Sequence, residues 1–181
     1  GDYARFLIGK AQNDTASGFE PLWVPGFLFE FQRALVGWAV RMGRCAAFAD
    51  CGMGKTPIAL VWSENVVRHA NRPVLIVTPL AVVAQFIAEA VKFGIEARRS
   101  NGGKVDAPGI YVTNYEKLHL FDAADFAGVV YDESSILKSF DGVTRKVATE
   151  FARPLAYRLL LTATAAPNDF VELGKYDLLM M

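Results

Sequence analysis

Apolar positions along this chain switch repeatedly between helical and strand periods. Phe31, Leu35, Trp38, Ala39 and Met42 recur at helical spacing over 29–42, and Gly43 stops the run. Cys45-Ala46-Ala47-Phe48-Ala49 is an apolar stretch of strand length, followed by a glycine-rich loop and a helical pattern that reaches about residue 70. A β-branched run over 73–78 reads as a strand closed by Pro79, and 80–93 reads as a helix closed by Gly94. Further strands are expected over 95–98, 109–113, 129–131 and 157–162. Helices are expected over 115–120, 141–151 and 169–180, with a turn at Asn101-Gly102-Gly103. Pro21, Pro25 and Gly26 break any long element near the start.

Apolar strands alternating with helices predict an α/β fold in three layers, with a mainly parallel sheet and helices on both faces. Such sheets bind ligands beyond the carboxyl ends of their strands. The loop at 50–56, Thr78, Asp132 and Thr162 all fall at such ends. The chain carries no internal repeat and no low-complexity segment.

With 181 residues, 52% of them hydrophobic and 21% charged, the chain has the composition of one packed domain. Nineteen basic residues balance nineteen acidic ones. That balance argues against a dedicated nucleic-acid clamp but leaves room for local basic patches. Cys45 and Cys51 suit a reducing intracellular compartment, cytoplasmic, nucleoid-associated or nuclear, better than a disulfide framework. His69 and His119 stand apart from any metal-ligand spacing, and the longest apolar stretch, 74–88, is too interrupted to span a bilayer, so no membrane partner is expected. Gly1 and the apolar end at Leu178-Leu179-Met180-Met181 read as the limits of an excised piece.

The loop Asp50-Cys51-Gly52-Met53-Gly54-Lys55-Thr56, between a strand and a helix, reads as a phosphate cradle. Its glycines admit close backbone approach, with Cys51, Gly52, Met53 and Gly54 wrapping the phosphates. Lys55 reaches the terminal phosphates of ATP, and the Thr56 hydroxyl ligates Mg²⁺. Ala49 stands where the general pattern has glycine, and Pro57 has no N–H to offer. Asp132 and Glu133 end the apolar strand over 129–131. Asp132 is the second expected holder of Mg²⁺, and Glu133 the residue that orients and deprotonates the attacking water.

Together these motifs resemble the nucleotide motifs of superfamily two helicases and translocases. Further stretches match in order. Phe29-Glu30-Phe31-Gln32-Arg33 is similar to the motif whose glutamine reads adenine. Thr78-Pro79-Leu80, running on to Gln85, and Val112-Thr113-Asn114-Tyr115-Glu116 are similar to segments that contact the nucleic-acid backbone. Leu161-Thr162-Ala163-Thr164 with Pro167-Asn168 is similar to the motif that couples hydrolysis to movement. The flavour most resembles the Swi/Snf-like branch.

The resemblance implies a P-loop, RecA-like domain over 27–181 with a flank over 1–26. It implies ATP and Mg²⁺ as ligands and duplex DNA as a partner. It also implies a second RecA-like domain that supplies an arginine worth about 10³–10⁵ in rate. By the same resemblance Gln32 and Arg33 contact the base, while Thr78, Gln85, Thr113, Ser135, Thr162 and Thr164 contact nucleic acid or couple the sites. Ser134-Ser135 replaces the usual Ala-His or Ala-Asp after the acidic pair, which shortens the link to the coupling motif. A P-loop ATPase of another class, and an interaction module merely stabilised by nucleotide, are the alternatives.

Overall fold

The computed structural model describes residues 16–49 and 54–162. Among the described residues four helices, α1 (Glu30–Met42), α2 (Lys55–Ala70), α3 (Val83–Lys92) and α4 (Gly142–Ala152), accompany six strands. The strands are β1 (Arg44–Phe48), β2 (Val74–Thr78), β3 (Ala97–Arg99), β4 (Ile110–Asn114), β5 (Gly128–Tyr131) and β6 (Tyr157–Thr162). They form one sheet in the order β1-β6-β5-β2-β4-β3, and every pairing is parallel. The expected α/β fold with a parallel sheet is therefore observed. The segments expected to be helical at 80–82 and 115–120 are 3-10 turns. Pro79 sets the first of these, and the second is too short for α-helical hydrogen bonding to gain on it. The helix expected over 169–180 lies outside the described residues.

Alternation along the strands divides the core. Val74 and Ile76 of β2, Ile110 and Val112 of β4 and Leu159 and Leu161 of β6 pack beneath α1, α2 and α3. Leu75, Val77, Val129, Tyr131 and Leu160 face the other way, toward α4 and the 3-10 turn at Tyr115–Leu120. Strands covered on both faces need apolar residues at every position, which is why β2 and β5 read as continuous apolar runs. Helix α2 is buried nearly all round, from Thr56 through Ser63 and on to Asn65 and Val66. Its amphipathic pattern is correspondingly weak, since α1, α3, the sheet and an N-terminal strap enclose it.

That strap, residues 17–25, is part of the packing. Ser17, Gly18 and Phe19 donate backbone hydrogen bonds to the last carbonyls of α1. Gly43, which ends α1 at φ 75°, has no room for a Cβ because Gly18 N would lie 2.8 Å from it. Asn65 is fully buried and ties the strap to α2. Its Oδ1 accepts from the N–H groups of Leu22 and Trp23 at 2.8 and 2.9 Å. Its Nδ2 donates to the carbonyls of Trp23 and Val61, both at 2.8 Å. The Arg68 guanidinium stacks on Trp23, 4.7 Å from the ring centre. At the opposite end of the sheet from the strand carboxyl ends, buried Arg158 donates to the carbonyls of Leu155 and Arg153 and pins the turn between α4 and β6.

Asn65 spends its whole amide on backbone groups of the strap and of α2. Asn65→Ala is expected to destabilise the chain by about 2–4 kcal/mol, because each buried group left unpaired costs about 1–3 kcal/mol. Urea unfolding measures this, and a loss below about 0.5 kcal/mol, the scale of an ordinary surface substitution, would show that the strap contributes nothing.

Candidate nucleotide site

The site gathers at the carboxyl ends of the strands. β6 lies between β1 and β5, so the carboxyl end of β1 and the acidic pair leaving β5 flank the end of β6 at Thr162. Of the expected phosphate loop, Cys51, Gly52 and Met53 lie outside the described residues, as does Asp50. Gly54 precedes α2 in the left-handed region, φ 69° and ψ 57°, which glycine adopts without steric cost. Lys55 and Thr56 form the first turn of α2, where unpaired N–H groups concentrate positive potential.

The structure brings Lys55 and the acidic pair together. Lys55 Nζ forms an ion pair with Glu133 Oε1 and lies 4.0 Å from Asp132 Oδ1. Asp132 is held from three sides. Its N–H donates to Val77 O at 2.8 Å, its carbonyl accepts from the Tyr115 hydroxyl at 2.7 Å, and its Oδ2 accepts from the Thr78 hydroxyl at 2.8 Å. Oδ1 is buried without a hydrogen-bond partner among the described residues. Burial pushes the Asp132 carboxyl above its usual range, while the Thr78 hydroxyl and the Lys55 charge pull the other way. A carboxyl raised on folding costs stability in its ionised form, and that cost grows as pH climbs through the carboxylate range. A cation beside Oδ1 would offset it.

Glu133 adopts φ 52° and ψ 48°, a conformation that costs a residue with a Cβ about 1–2 kcal/mol. The turn sends the chain into a 3-10 segment, Ser134–Lys138, and leaves the Glu133 side chain beside Lys55. Such strain persists where surrounding contacts over-determine it, as the bonds on Asp132 do here.

The donor set fits Mg²⁺. Thr56 is buried at the start of α2, and Asp132 presents an orphaned carboxylate oxygen. One carboxylate and one hydroxyl, completed by water and phosphate oxygens, is how Mg²⁺ is usually held. Among the described residues no group of three or more His, Cys, Asp or Glu offers a denser metal site.

Gln32 sits at the loop. It is buried, its Nε2 donates to Gly54 O at 3.3 Å, and its Oε1 accepts from the Phe29 N–H at 2.9 Å. The same amide thus caps the first turn of α1 and holds the residue that leads into α2. Arg33 is exposed and donates to Pro25 O at 3.2 Å. Thr78 and Thr113 are fully buried, and Gln85 is exposed and pairs with Glu89 along α3. Ser135 lies half-buried in the 3-10 segment. Thr162 ends β6, with its carbonyl accepting from the Ala49 N–H at 3.0 Å. Thr164 lies outside the described residues. The hydroxyls of Thr113 and Thr162 are buried without a hydrogen-bond partner among the described residues. Sequence reasoning missed the Tyr115 hydroxyl as a support of Asp132. Its signal was a tyrosine directly after an apolar strand, read only as part of a nucleic-acid motif.

No protein-family model and no curated protein matches the chain. Solved structures do. The Sulfolobus solfataricus SWI2/SNF2 ATPase core in complex with dsDNA is 22% identical, with a TM-score of 0.69 over 90% of this chain and 36% of that one. The Sulfolobus solfataricus SWI2/SNF2 ATPase core domain is 21% identical at TM-score 0.69, over 94% of this chain and 38% of that one. The UvsW helicase from bacteriophage T4 is 12% identical at TM-score 0.69, over 98% of this chain and 65% of that one. The chain therefore has the RecA-like α/β fold of helicase ATPase cores, and spans little more than a third of the two SWI2/SNF2 chains.

A Cβ on Gly54 would lie 2.3 Å from Gln32 Nε2 and would also occupy positive φ. Gly54→Ala is expected to cost about 1–2 kcal/mol from backbone strain alone. Combined with Gln32→Ala it should fall short of additivity by more than about 0.5 kcal/mol, the mark of groups in contact. A double-mutant cycle in urea checks this, and strict additivity would separate the glutamine from the loop.

Proposed function

We propose that this chain is the N-terminal ATP-binding motor domain of a Swi/Snf-like superfamily two translocase. On this reading it hydrolyses ATP with Mg²⁺ to move on duplex DNA once joined to a second RecA-like domain. The observation that carries the reading is the contact of Lys55 with Asp132 and Glu133 at the carboxyl edge of the sheet. Residues far apart in the chain meet where a parallel sheet binds its ligands. The likeness in fold to SWI2/SNF2 and UvsW helicase cores supports the same class.

The residues then divide the work. The start of α2 and Lys55 bind the triphosphate, whose oxygens compete with the two carboxylates for the ammonium group. Thr56 and Asp132 would hold the metal, which when bound would neutralise phosphate charge. Glu133 accepts a proton from the attacking water and orients it. Gln32 and Arg33 stand at the base side, and for Gln32 to read adenine its amide must exchange the Phe29 and Gly54 partners it now holds. Thr162 and Thr164 would pass the change in phosphate occupancy to the second domain. An arginine from that domain supplies charge the described residues do not bring to the site, so the chain alone should bind ATP better than it turns it over. Duplex DNA is the favoured track because one structural neighbour is a complex with dsDNA. Arg98 and Arg99 on the edge strand β3 and Lys104 beyond it supply basic charge, with Arg98 paired to Glu96.

Binding of a fluorescent ATP analogue in the presence of Mg²⁺ tests the reading. Lys55→Ala is expected to weaken binding about 10- to 100-fold, the loss of a charged hydrogen bond of about 1.5–3 kcal/mol. Glu133→Gln should bind within about threefold of wild type, a difference of under 1 kcal/mol, and abolish turnover in the protein that carries both domains. Absence of binding by the wild-type chain would end the proposal.

A further inference from the structure

Thr78 ends β2 and the sequence pattern places it with residues that touch nucleic-acid phosphates. Its side chain is elsewhere. Thr78 is fully buried, and its hydroxyl donates to Asp132 Oδ2 at 2.8 Å. The neighbouring strand is locked in register, since Val77 pairs with Tyr131 and Val77 O accepts the Asp132 N–H at 2.8 Å. Backbone and side chain of the same carboxylate residue are thus both held by the end of β2.

A carboxylate has two oxygens and one torsion that sets where each points. When the hydroxyl of Thr78 holds Oδ2, rotation is blocked and Oδ1 is left toward Lys55, buried and without a hydrogen-bond partner among the described residues. Valine has nearly the shape of threonine but no donor, so it would leave both oxygens unheld. Serine keeps the donor.

We propose that Thr78 is a positioning residue for the metal site, fixing the Asp132 carboxylate so that Oδ1 faces the cation. The inference rests on the nucleotide reading above and deepens it by assigning the support of the metal ligand. Partners behind a metal ligand typically cost 10- to 100-fold in metal affinity when removed. The residues that follow, Pro79 and exposed Leu80, carry the same strand end to the surface.

The test uses the 181-residue chain and a fluorescent ADP analogue, titrated with Mg²⁺ and in excess chelator, with thermal melting to confirm folding. Thr78→Val is expected to raise the Mg²⁺ concentration at half-effect about tenfold or more, with binding in chelator unchanged. Thr78→Ser is expected to restore the wild-type Mg²⁺ response. Should the valine variant melt early, Thr78→Ala and Thr78→Ser are compared instead, and the serine chain must again respond to Mg²⁺ at lower concentration. A wild-type Mg²⁺ response in the valine variant would overturn the proposal while leaving the nucleotide reading intact. So would a loss confined to binding of a duplex oligonucleotide, which would return Thr78 to phosphate contact. A wild-type chain whose nucleotide binding ignores Mg²⁺ would overturn the positioning role, and one that binds no nucleotide would overturn both.

Discussion

The site depends on a carboxylate kept inside the protein. Asp132 leaves a strand whose residues are all buried, and its side chain remains almost wholly covered. Placing a charge there is unfavourable, and the structure offsets it with one hydroxyl on Oδ2 and one ammonium group beside Oδ1. Burial raises the carboxyl against the pull of both partners. A buried carboxylate with one oxygen satisfied and the other bare is poised for a cation, because a cation is the partner that removes the remaining cost. The same local field explains why Lys55 lies against both acids rather than extending to solvent.

Geometry around Asp132 also accounts for Glu133. Three hydrogen bonds leave the Asp132 backbone and carboxylate little freedom. The next residue must turn sharply, and it does so through a left-handed conformation that a glutamate would not choose alone. Two adjacent acids therefore face different tasks. One points down between strands, and the other stands partly exposed beside the lysine. Adjacent residues on a continuing strand would point to opposite faces of the sheet, so ending β5 at Tyr131 is what lets both reach Lys55.

Much of this was legible in the sequence. Strand length, β-branched content and closing prolines or glycines identified β1, β2, β4, β5 and β6, because strands buried on both faces must be apolar throughout. The two acids and Lys55 were legible as a set because the order of motifs implies a common sheet edge. Other features were not. Asn65 looks like a surface amide on a helix until the strap crosses it, and nothing local announces a contact between residues 22–23 and 65. Gln32 was legible as a loop-side residue, but its hold on Gly54 joins residues 22 positions apart and has no local signal. Thr78 was assigned by its neighbours in the chain, whereas its partner comes from the next strand. Arg158, buried and spent on two carbonyls, would be read from sequence as a surface charge.

The departure at Ser134-Ser135 bears on how the acidic pair is connected to the rest of the domain. A histidine or aspartate there would offer a long polar arm toward the strand that carries Thr162. In this chain the segment is a 3-10 turn, and Leu137 anchors it in the apolar core on the α4 side. Asp132 itself is held by polar groups of Thr78 and Tyr115, at the ends of β2 and β4. Tyr115 is itself fully buried and touches Tyr131 and Phe140, so it cannot shift without disturbing the core beneath it. Thr78 is likewise fully buried and pairs with Asn114 across β2 and β4. Both supports are thus built into packed strand ends, so the sheet itself positions the carboxylate.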